Sequence, residues 1–190
     1  MFGIKKKNTG YEPVIYNFDN QPVLNRDTGE FLMDFDADQK KLLRQLIDWK
    51  IPVGAFAYKG LPVEYIYKIY LVLQPYDIGN GTYSYTRIDE NMLYRIVHTD
   101  LDIDQFGDCL AGAIYGIDMC SEIKNISSYP HEVLSLVADA ASCGVDLCKK
   151  LSPNMDIYTL EAAVKRAYQK EKDKRKRGNI RDSILRGLLH

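Results

Sequence analysis

Two segments of this chain, each with Asp at every second position, have a spacing that resembles the start of a metal site. They comprise Asp34, Asp36 and Asp38, and Asp100, Asp102 and Asp104. Oxygen ligands at alternate positions open an EF-hand calcium loop, which also needs Gly at its sixth position and Glu at its twelfth. The first run has Gln at both of those positions, and the second has Gln and Ala. We therefore interpret both runs as acidic helix starts and predict no bound metal.

The cysteines and histidines do not form a recognisable catalytic or zinc motif. The closest cysteines, Cys143 and Cys148, have four residues between them and no second pair to complete a zinc site. We interpret Cys120 and Cys148 as small residues at equivalent positions of a repeat. The three histidines, His98, His131 and His190, lie outside any nucleophile motif. We expect a protein that is not an enzyme and has no cofactor, although a site built from scattered residues stays open.

The charge is unevenly distributed along the chain. Residues 1–7 contain three lysines, and residues 165–190 contain ten basic and three acidic residues, so the rest carries a net charge of −11. A basic tail can contact phosphates, and the residues that would do so are Lys172, Lys174, Arg175, Lys176, Arg177 and Arg181. The alternative is a solvated helix end whose cations suit the helix dipole. Nucleic-acid binding by the tail is thus the second functional hypothesis.

Tyrosine is the other compositional clue to function. The chain has 14 Tyr, and many lie between positions 58 and 94. Tyrosine buries a large area at low entropic cost and is enriched in protein–protein interfaces. The predicted protein-binding residues are Tyr65, Tyr67, Tyr70 and Tyr76. The alternative is that several of these rings fill the core.

A repeated three-residue pattern indicates the secondary structure that positions these residues. The pattern is a hydrophobic residue, then Asp or Pro, then another hydrophobic residue. It occurs at 51–53, 76–78, 101–103, 117–119 and 145–147. Apolar residues at helical spacing precede several of these segments, as in Leu42, Leu43, Leu46 and Ile47. We interpret the segments as connectors between helices, with their aspartates as caps. The gap between Asp102 and Asp118 is too short for two helices and predicts one shared element.

These observations predict a mainly α protein, a compact and degenerate helical-repeat stack with an N-terminal β-hairpin or extended arm. We expect residues 1–35 to form the arm, with strands at 14–18 and 30–33 around a turn at 25–29, docked on the body. Residues 36–156 are the expected helical body, and residues 157–190 the C-terminal helix and basic tail. Within the tail, Gly178 and Asn179 are expected to break the helix.

The repeat pattern resembles short helical repeats in uncharacterised proteins of Firmicutes and their mobile elements. Residues 36–53, 102–119 and 133–147 carry the resemblance, in which Gln or Glu near a helix start precedes a hydrophobic–Asp–hydrophobic turn. It implies an intracellular protein that is borne by a phage or mobile element, and it implies no catalytic residues. The sequence also lacks an apolar segment of membrane-spanning length and an N-terminal secretory signal. We therefore expect a cytoplasmic protein with reduced cysteines.

The leading functional hypothesis is an adaptor or inhibitor that binds another macromolecule. A protein partner is expected, and the acidic body favours a basic one. Nucleic-acid binding through the tail is the alternative, and no membrane contact is expected. The sequence does not identify the partner or the oligomeric state.

Overall fold

The computed structural model describes residues 13–152 and 155–187, with side chains through Lys174. The prediction of a mainly α protein is confirmed. The described residues form seven α-helices, which are α1 (Ala37–Asp48), α2 (Val63–Leu73), α3 (Glu90–Val97), α4 (Ile103–Ile114), α5 (Met119–Glu122), α6 (His131–Ser142) and α7 (Ile157–Gly187). They also form five strands, which are β1 (Val14–Tyr16), β2 (Pro22–Asn25), β3 (Glu30–Phe31), β4 (Tyr76–Gly79) and β5 (Thr82–Ser84).

Helices α1 and α4 begin with the same capping box. Asp36 accepts the Gln39 backbone N–H, and the Gln39 side chain accepts the Asp36 backbone N–H. Asp102 and Gln105 repeat both bonds at the start of α4. Because these bonds satisfy amides that a helix start leaves unpaired, the acidic runs act as helix starts, as the sequence predicted.

The starts of the long helices lie side by side. The Gln39 amide donates from α1 to the Leu61 carbonyl just before α2, at 2.8 Å. The Tyr65 hydroxyl donates from α2 to the Leu101 carbonyl just before α4, at 2.9 Å. The Gln105 amide donates from α4 to the Tyr129 carbonyl just before α6, at 2.7 Å. Since each bond joins one helix start to the next, α1, α2, α4 and α6 form a row that begins along one edge of the molecule.

Helices α1, α4 and α6 also end alike. Each is followed by a residue with positive φ, which is Lys50, Gly116 or Gly144. The next residue in each case, an isoleucine or valine, donates its backbone N–H to the carbonyl five residues earlier. This is the Schellman arrangement, in which an apolar residue past the helix end turns back onto the helix.

Four of the five hydrophobic–Asp/Pro–hydrophobic segments begin a helix or a short helical turn. Pro52 precedes the 3₁₀ turn Val53–Ala55, Asp102 and Asp118 cap α4 and α5, and Asp146 accepts the backbone N–H of Cys148. Helix α4 is the single element between Asp102 and Asp118, as predicted. The connector predicted at Tyr76-Asp77-Ile78 is wrong, because these residues lie in strand β4. Asp77 accepts the N–H of Gly79 within a hairpin.

The N-terminal strands form a three-stranded antiparallel sheet of order β1-β2-β3. The predicted turn at 25–29 is present, with Gly29 at φ +68°. The predicted pairing of residues 14–18 with 30–33 is wrong, because both outer strands pair with β2 instead. Strand β2 is short and begins with Pro22, so it lacked a clear strand signal. Its Val23 and Leu24 side chains are buried in the same core cluster as the helices.

Helix α7 packs on α6 through its first third and then leaves the core. Leu160, Val164 and Ala167 are buried, whereas no described side chain from Tyr168 to Lys174 is. At 1.5 Å per residue a helix of 31 residues is about 46 Å long. The break predicted at Gly178 and Asn179 is wrong, because α7 continues to Gly187. One glycine in a helix costs only about 1 kcal/mol relative to alanine, and the preceding Lys and Arg residues favour helix.

Candidate protein-binding surface

A groove of about 570 Å³ lies between α1 and α2, and we call it the α1–α2 groove. Its lining combines aliphatic and aromatic side chains with charged ones, namely Asp38, Lys41, Leu42, Gln45, Val63, Glu64, Tyr67 and Tyr70. Both helices contribute residues from their first three turns, and the Gln39–Leu61 bond joins their starts. All of its lining residues belong to the two helices, so its shape does not depend on a loop.

Three aromatic rings form a ladder on this side of the molecule. Trp49 stacks on Tyr70 with ring centroids 4.8 Å apart, and Tyr70 stacks on Tyr67 at 6.1 Å. Trp49 and Tyr70 are half-buried, whereas Tyr67 is 50% exposed. Because the inner rings support the outer one, Tyr67 presents a rigid apolar face to solvent at the groove. Trp49, the one tryptophan in the sequence, was not among the predicted binding residues.

Tyr65 faces a different direction from Tyr67 and Tyr70. Its hydroxyl donates to Leu101, and its ring packs edge-on against Phe106 with centroids 4.9 Å apart. These contacts join α2 to α4 inside the molecule. The structure thus separates Tyr65 from the other predicted protein-binding residues and gives it the alternative role, packing between helices.

Tyr76 lies on an exposed β-hairpin formed by β4 and β5. The connection Asn80-Gly81 has positive φ at both residues, as a tight two-residue turn requires. Tyr76 is 60% exposed, and Ile78, Tyr83 and Tyr85 are similarly exposed. The hairpin follows α2 after two residues, and Tyr76 is not among the residues that line the α1–α2 groove. No other described strand pairs with it.

Of the predicted nucleic-acid-binding residues, Lys172 and Lys174 are exposed on α7. Arg175, Lys176, Arg177 and Arg181 belong to the same helix, but their side chains lie outside the described ones. Lys165 pairs with Glu161, and the Gln169 side chain donates to Asp173. The described part of the tail therefore has mixed charge, with unpaired lysines following the last buried turn.

Asp108 on α4 is a titratable group that the sequence analysis missed. Its Oδ2 atom is buried without a hydrogen-bond partner. Burial raises the pKa of this carboxyl to about 6, partly offset by His131 nearby. The sequence does contain a signal for it. When α1 and α4 are aligned at their capping aspartates, Asp108 falls at the position of the apolar Leu42. The described residues contain no group of three or more His, Cys, Asp or Glu side chains placed to hold a metal ion.

Neither described histidine completes a catalytic arrangement. The Nδ1 atom of His98 lies 2.8 Å from the Tyr94 carbonyl, and its ring stacks on Tyr94. His131 lies 3.5 Å from Glu132 on the surface of α6. His98 borders an open cleft with Asp19, Thr99 and Asp100, and the Thr99 hydroxyl donates to the Arg95 carbonyl at 2.7 Å instead of to the imidazole. These arrangements do not supply the base and nucleophile that acyl transfer requires.

None of the helices within the described residues combines the length and apolar character needed to cross a bilayer. Comparison of the chain with protein-family models, with curated proteins and with solved structures gives no significant match.

Proposed function

We propose that this chain is a non-enzymatic protein-binding module, an adaptor or inhibitor, that contacts its partner through the α1–α2 groove. The observation that carries the proposal is the ladder Trp49–Tyr70–Tyr67, which ends in an exposed ring beside that groove. Stacked aromatic side chains lose little entropy on binding and dominate many protein interfaces. Tyr76 on the adjacent hairpin extends the proposed surface.

The lining of the α1–α2 groove favours a peptide or helix as the bound element. Leu42, Val63 and Tyr67 offer apolar contact area, while Asp38, Lys41 and Glu64 provide charges at the rim. This combination suits an amphipathic segment whose apolar side chains enter the groove and whose polar side chains meet the rim. The net negative charge of residues 8–164 supports a basic partner.

We further propose that residues 36–156 are a compact, degenerate helical-repeat stack, with residues 1–35 as its arm and residues 157–190 as its tail. The matching capping boxes of α1 and α4 support this, as do the matching ends of α1, α4 and α6. The resemblance to short helical repeats of Firmicutes supports a cytoplasmic protein carried by a mobile element. Stacks of this kind typically bind through extended surfaces.

The protein-binding proposal is tested by comparing two tyrosine variants as baits. Tyr67 is 50% exposed at the groove, and Tyr115, at the end of α4, is 54% exposed and outside it. The full chain, Tyr67→Ala and Tyr115→Ala are immobilised and incubated with extract of the native host. We expect a protein retained by the full chain and by Tyr115→Ala to be lost with Tyr67→Ala. Equal retention by both variants would refute the groove as the binding surface.

A second candidate function is nucleic-acid binding through α7. Two observations favour it: α7 continues for about 20 residues past Ala167, the last of its described side chains that is buried, and its exposed lysines include Lys170, Lys172 and Lys174. Phosphate contacts by such a helix release counterions, so the affinity would fall steeply with salt. Replacing Lys172, Lys174, Arg175, Lys176, Arg177 and Arg181 by glutamine should then abolish binding to duplex or single-stranded nucleic acid. Absence of binding by the full chain at low salt would remove this candidate.

A further inference from the structure

The open cleft beside His98 has a volume of about 560 Å³, and we call it the Tyr58–His98 cleft. Three separate segments of the chain line it: the β1–β2 loop, the connection before α2, and the end of α3 with the residues after it. The lining residues are Asp19, Gln21, Tyr58, Lys59, Val97, His98, Thr99 and Asp100. None of them lines the α1–α2 groove, so the two surfaces are separate.

A buried asparagine holds two of these segments together. The Asn17 side-chain amide donates to the Ala57 carbonyl and to the Gln21 side chain, both at 3.2 Å. Its oxygen accepts the backbone N–H groups of Asp19 and Gln21, at 3.1 and 2.8 Å. Asn17 is only 7% exposed, so these bonds are shielded from water. One buried side chain therefore fixes the backbone at Asp19 and at Ala57, the residue before Tyr58.

A column of four rings joins the third segment to the other two. Phe18 stacks on Tyr94 with ring centroids 4.3 Å apart, and Tyr94 stacks on His98 at 4.0 Å. The His98 ring meets the Tyr58 ring at 5.4 Å, with 44° between the ring planes. The Nδ1 atom of His98 lies 2.8 Å from the Tyr94 carbonyl, so in the neutral ring Nδ1 carries the hydrogen and Nε2 is an acceptor. The cleft thus has two supported rings, Tyr58 and His98, in its lining.

The charges of the cleft favour a cation. Asp19 and Asp100 are exposed, and among the described side chains none donates a hydrogen bond to either carboxylate. Lys59 also lines the cleft, but it is exposed, and its long side chain can extend into solvent. With His98 neutral, two carboxylates and one ammonium give the lining a net charge of −1. The cleft also lies at the C-terminal end of α3, where the helix dipole attracts positive charge.

We propose that the Tyr58–His98 cleft binds an arginine side chain presented by a segment of a protein partner. A guanidinium is planar and has five N–H donors, so it can stack on a ring of the cleft while it donates to Asp19 and Asp100. It is more weakly hydrated than an ammonium, so this combination of rings and carboxylates favours arginine over lysine. Because the cleft is open to solvent, the partner chain can continue along the surface on either side of the arginine. The proposal does not depend on the α1–α2 groove.

The test titrates the ¹⁵N-labelled full chain with the peptide acetyl-Gly-Arg-Gly-amide and follows the backbone amide signals by NMR. We expect saturable shifts at residues 19–21, 58–59 and 97–100, and weaker binding of the matched lysine peptide. Equal affinity for the two peptides would overturn the assignment to arginine, and shifts confined to other residues would overturn the assignment to this cleft. Free arginine is the third probe, and tighter binding of it than of the capped peptide would overturn the assignment to a protein segment.

Variants separate the cleft from general charge effects. Asp19→Asn combined with Asp100→Asn should weaken binding of the arginine peptide at least about tenfold. The matched control combines Asp48→Asn with Asp139→Asn, which removes two exposed carboxylates outside the cleft and should leave the affinity unchanged. Tyr67→Ala should also bind the peptide normally, so failure of the cleft and failure of the α1–α2 groove are distinguishable. An equal loss of affinity in the two double variants, or no loss in the first, would overturn the proposal.

Discussion

At the scale of single residues, Gln105 is a polar side chain that joins α4 to the segment before α6. It is buried, its amide donates to the Ser127 and Tyr129 carbonyls, and its oxygen accepts from Asp102. Removing it breaks three part-buried hydrogen bonds, each of which contributes about 0.5–1.5 kcal/mol to stability. Gln105→Ala should therefore lower the free energy of unfolding in urea by about 2–4 kcal/mol. The exposed Gln74→Ala is the control, and equal stability of the two variants would contradict this role.

Asp108 predicts a specific pH dependence. Its pKa is about 6 in the folded state, raised by burial from the ordinary 3.8, and the groups that face it are His131, Asp104, Lys68 and Asp102. The folded state therefore binds the proton more tightly than the unfolded state. The contribution of Asp108 to stability is greatest below pH 4 and is lost as the pH rises through about 6.

Asp108→Asn removes this titration and leaves a neutral side chain of similar shape. Guanidinium denaturation should show that the free energy of unfolding of Asp108→Asn exceeds that of the natural chain by more at pH 7.5 than at pH 4.5. At pH 7.5 the natural chain carries the buried charge and the variant does not. The difference between the two proteins, measured at each pH, cancels the titration of the other carboxylates. A gain that is the same at both pH values would contradict the assignment.

At the scale of elements, Gly54 determines how the N-terminal sheet meets the helices. A Cβ atom there would lie 2.5 Å from the Tyr16 backbone oxygen, and a backbone atom cannot move aside cheaply. Gly54→Ala should lower the free energy of unfolding by about 1–3 kcal/mol through this overpacking. Gly107→Ala is the matched control, since its Cβ meets only the flexible Lys68 side chain at 3.2 Å. A melting temperature that falls equally in both variants would contradict a specific sheet contact.

The elements show what local sequence signals can predict. Asp36, Asp89, Asp102 and Asp118 all cap helices, because capping depends on residues within one turn and is legible in the sequence. Asp77 has the same flanking pattern, yet it lies in a hairpin whose turn at Asn80-Gly81 determines its conformation. The same three-residue pattern thus begins a helix or helical turn at four sites and a strand at the fifth.

At the scale of the whole molecule, the sequence was less informative, because the relevant contacts join distant residues. The amides of Gln39 and Gln105 each reach a carbonyl 22 residues away, and the capping pattern predicts only their local bonds. Tyr65 and Tyr67 are two positions apart in one apolar helix, and only packing against α4 decides which ring is inside. The composition identified the tyrosine-rich region, while the α1–α2 groove required the arrangement of two helices.

The central claim, that the α1–α2 groove binds a protein, is tested most directly by photocrosslinking in the native host. A benzophenone amino acid replaces Tyr67 in one version of the full chain and Tyr115 in another, since the two side chains are similarly exposed. The account predicts a discrete protein adduct from position 67 that is absent from position 115. Identical adduct patterns at the two positions, or no protein adduct at position 67, would contradict it.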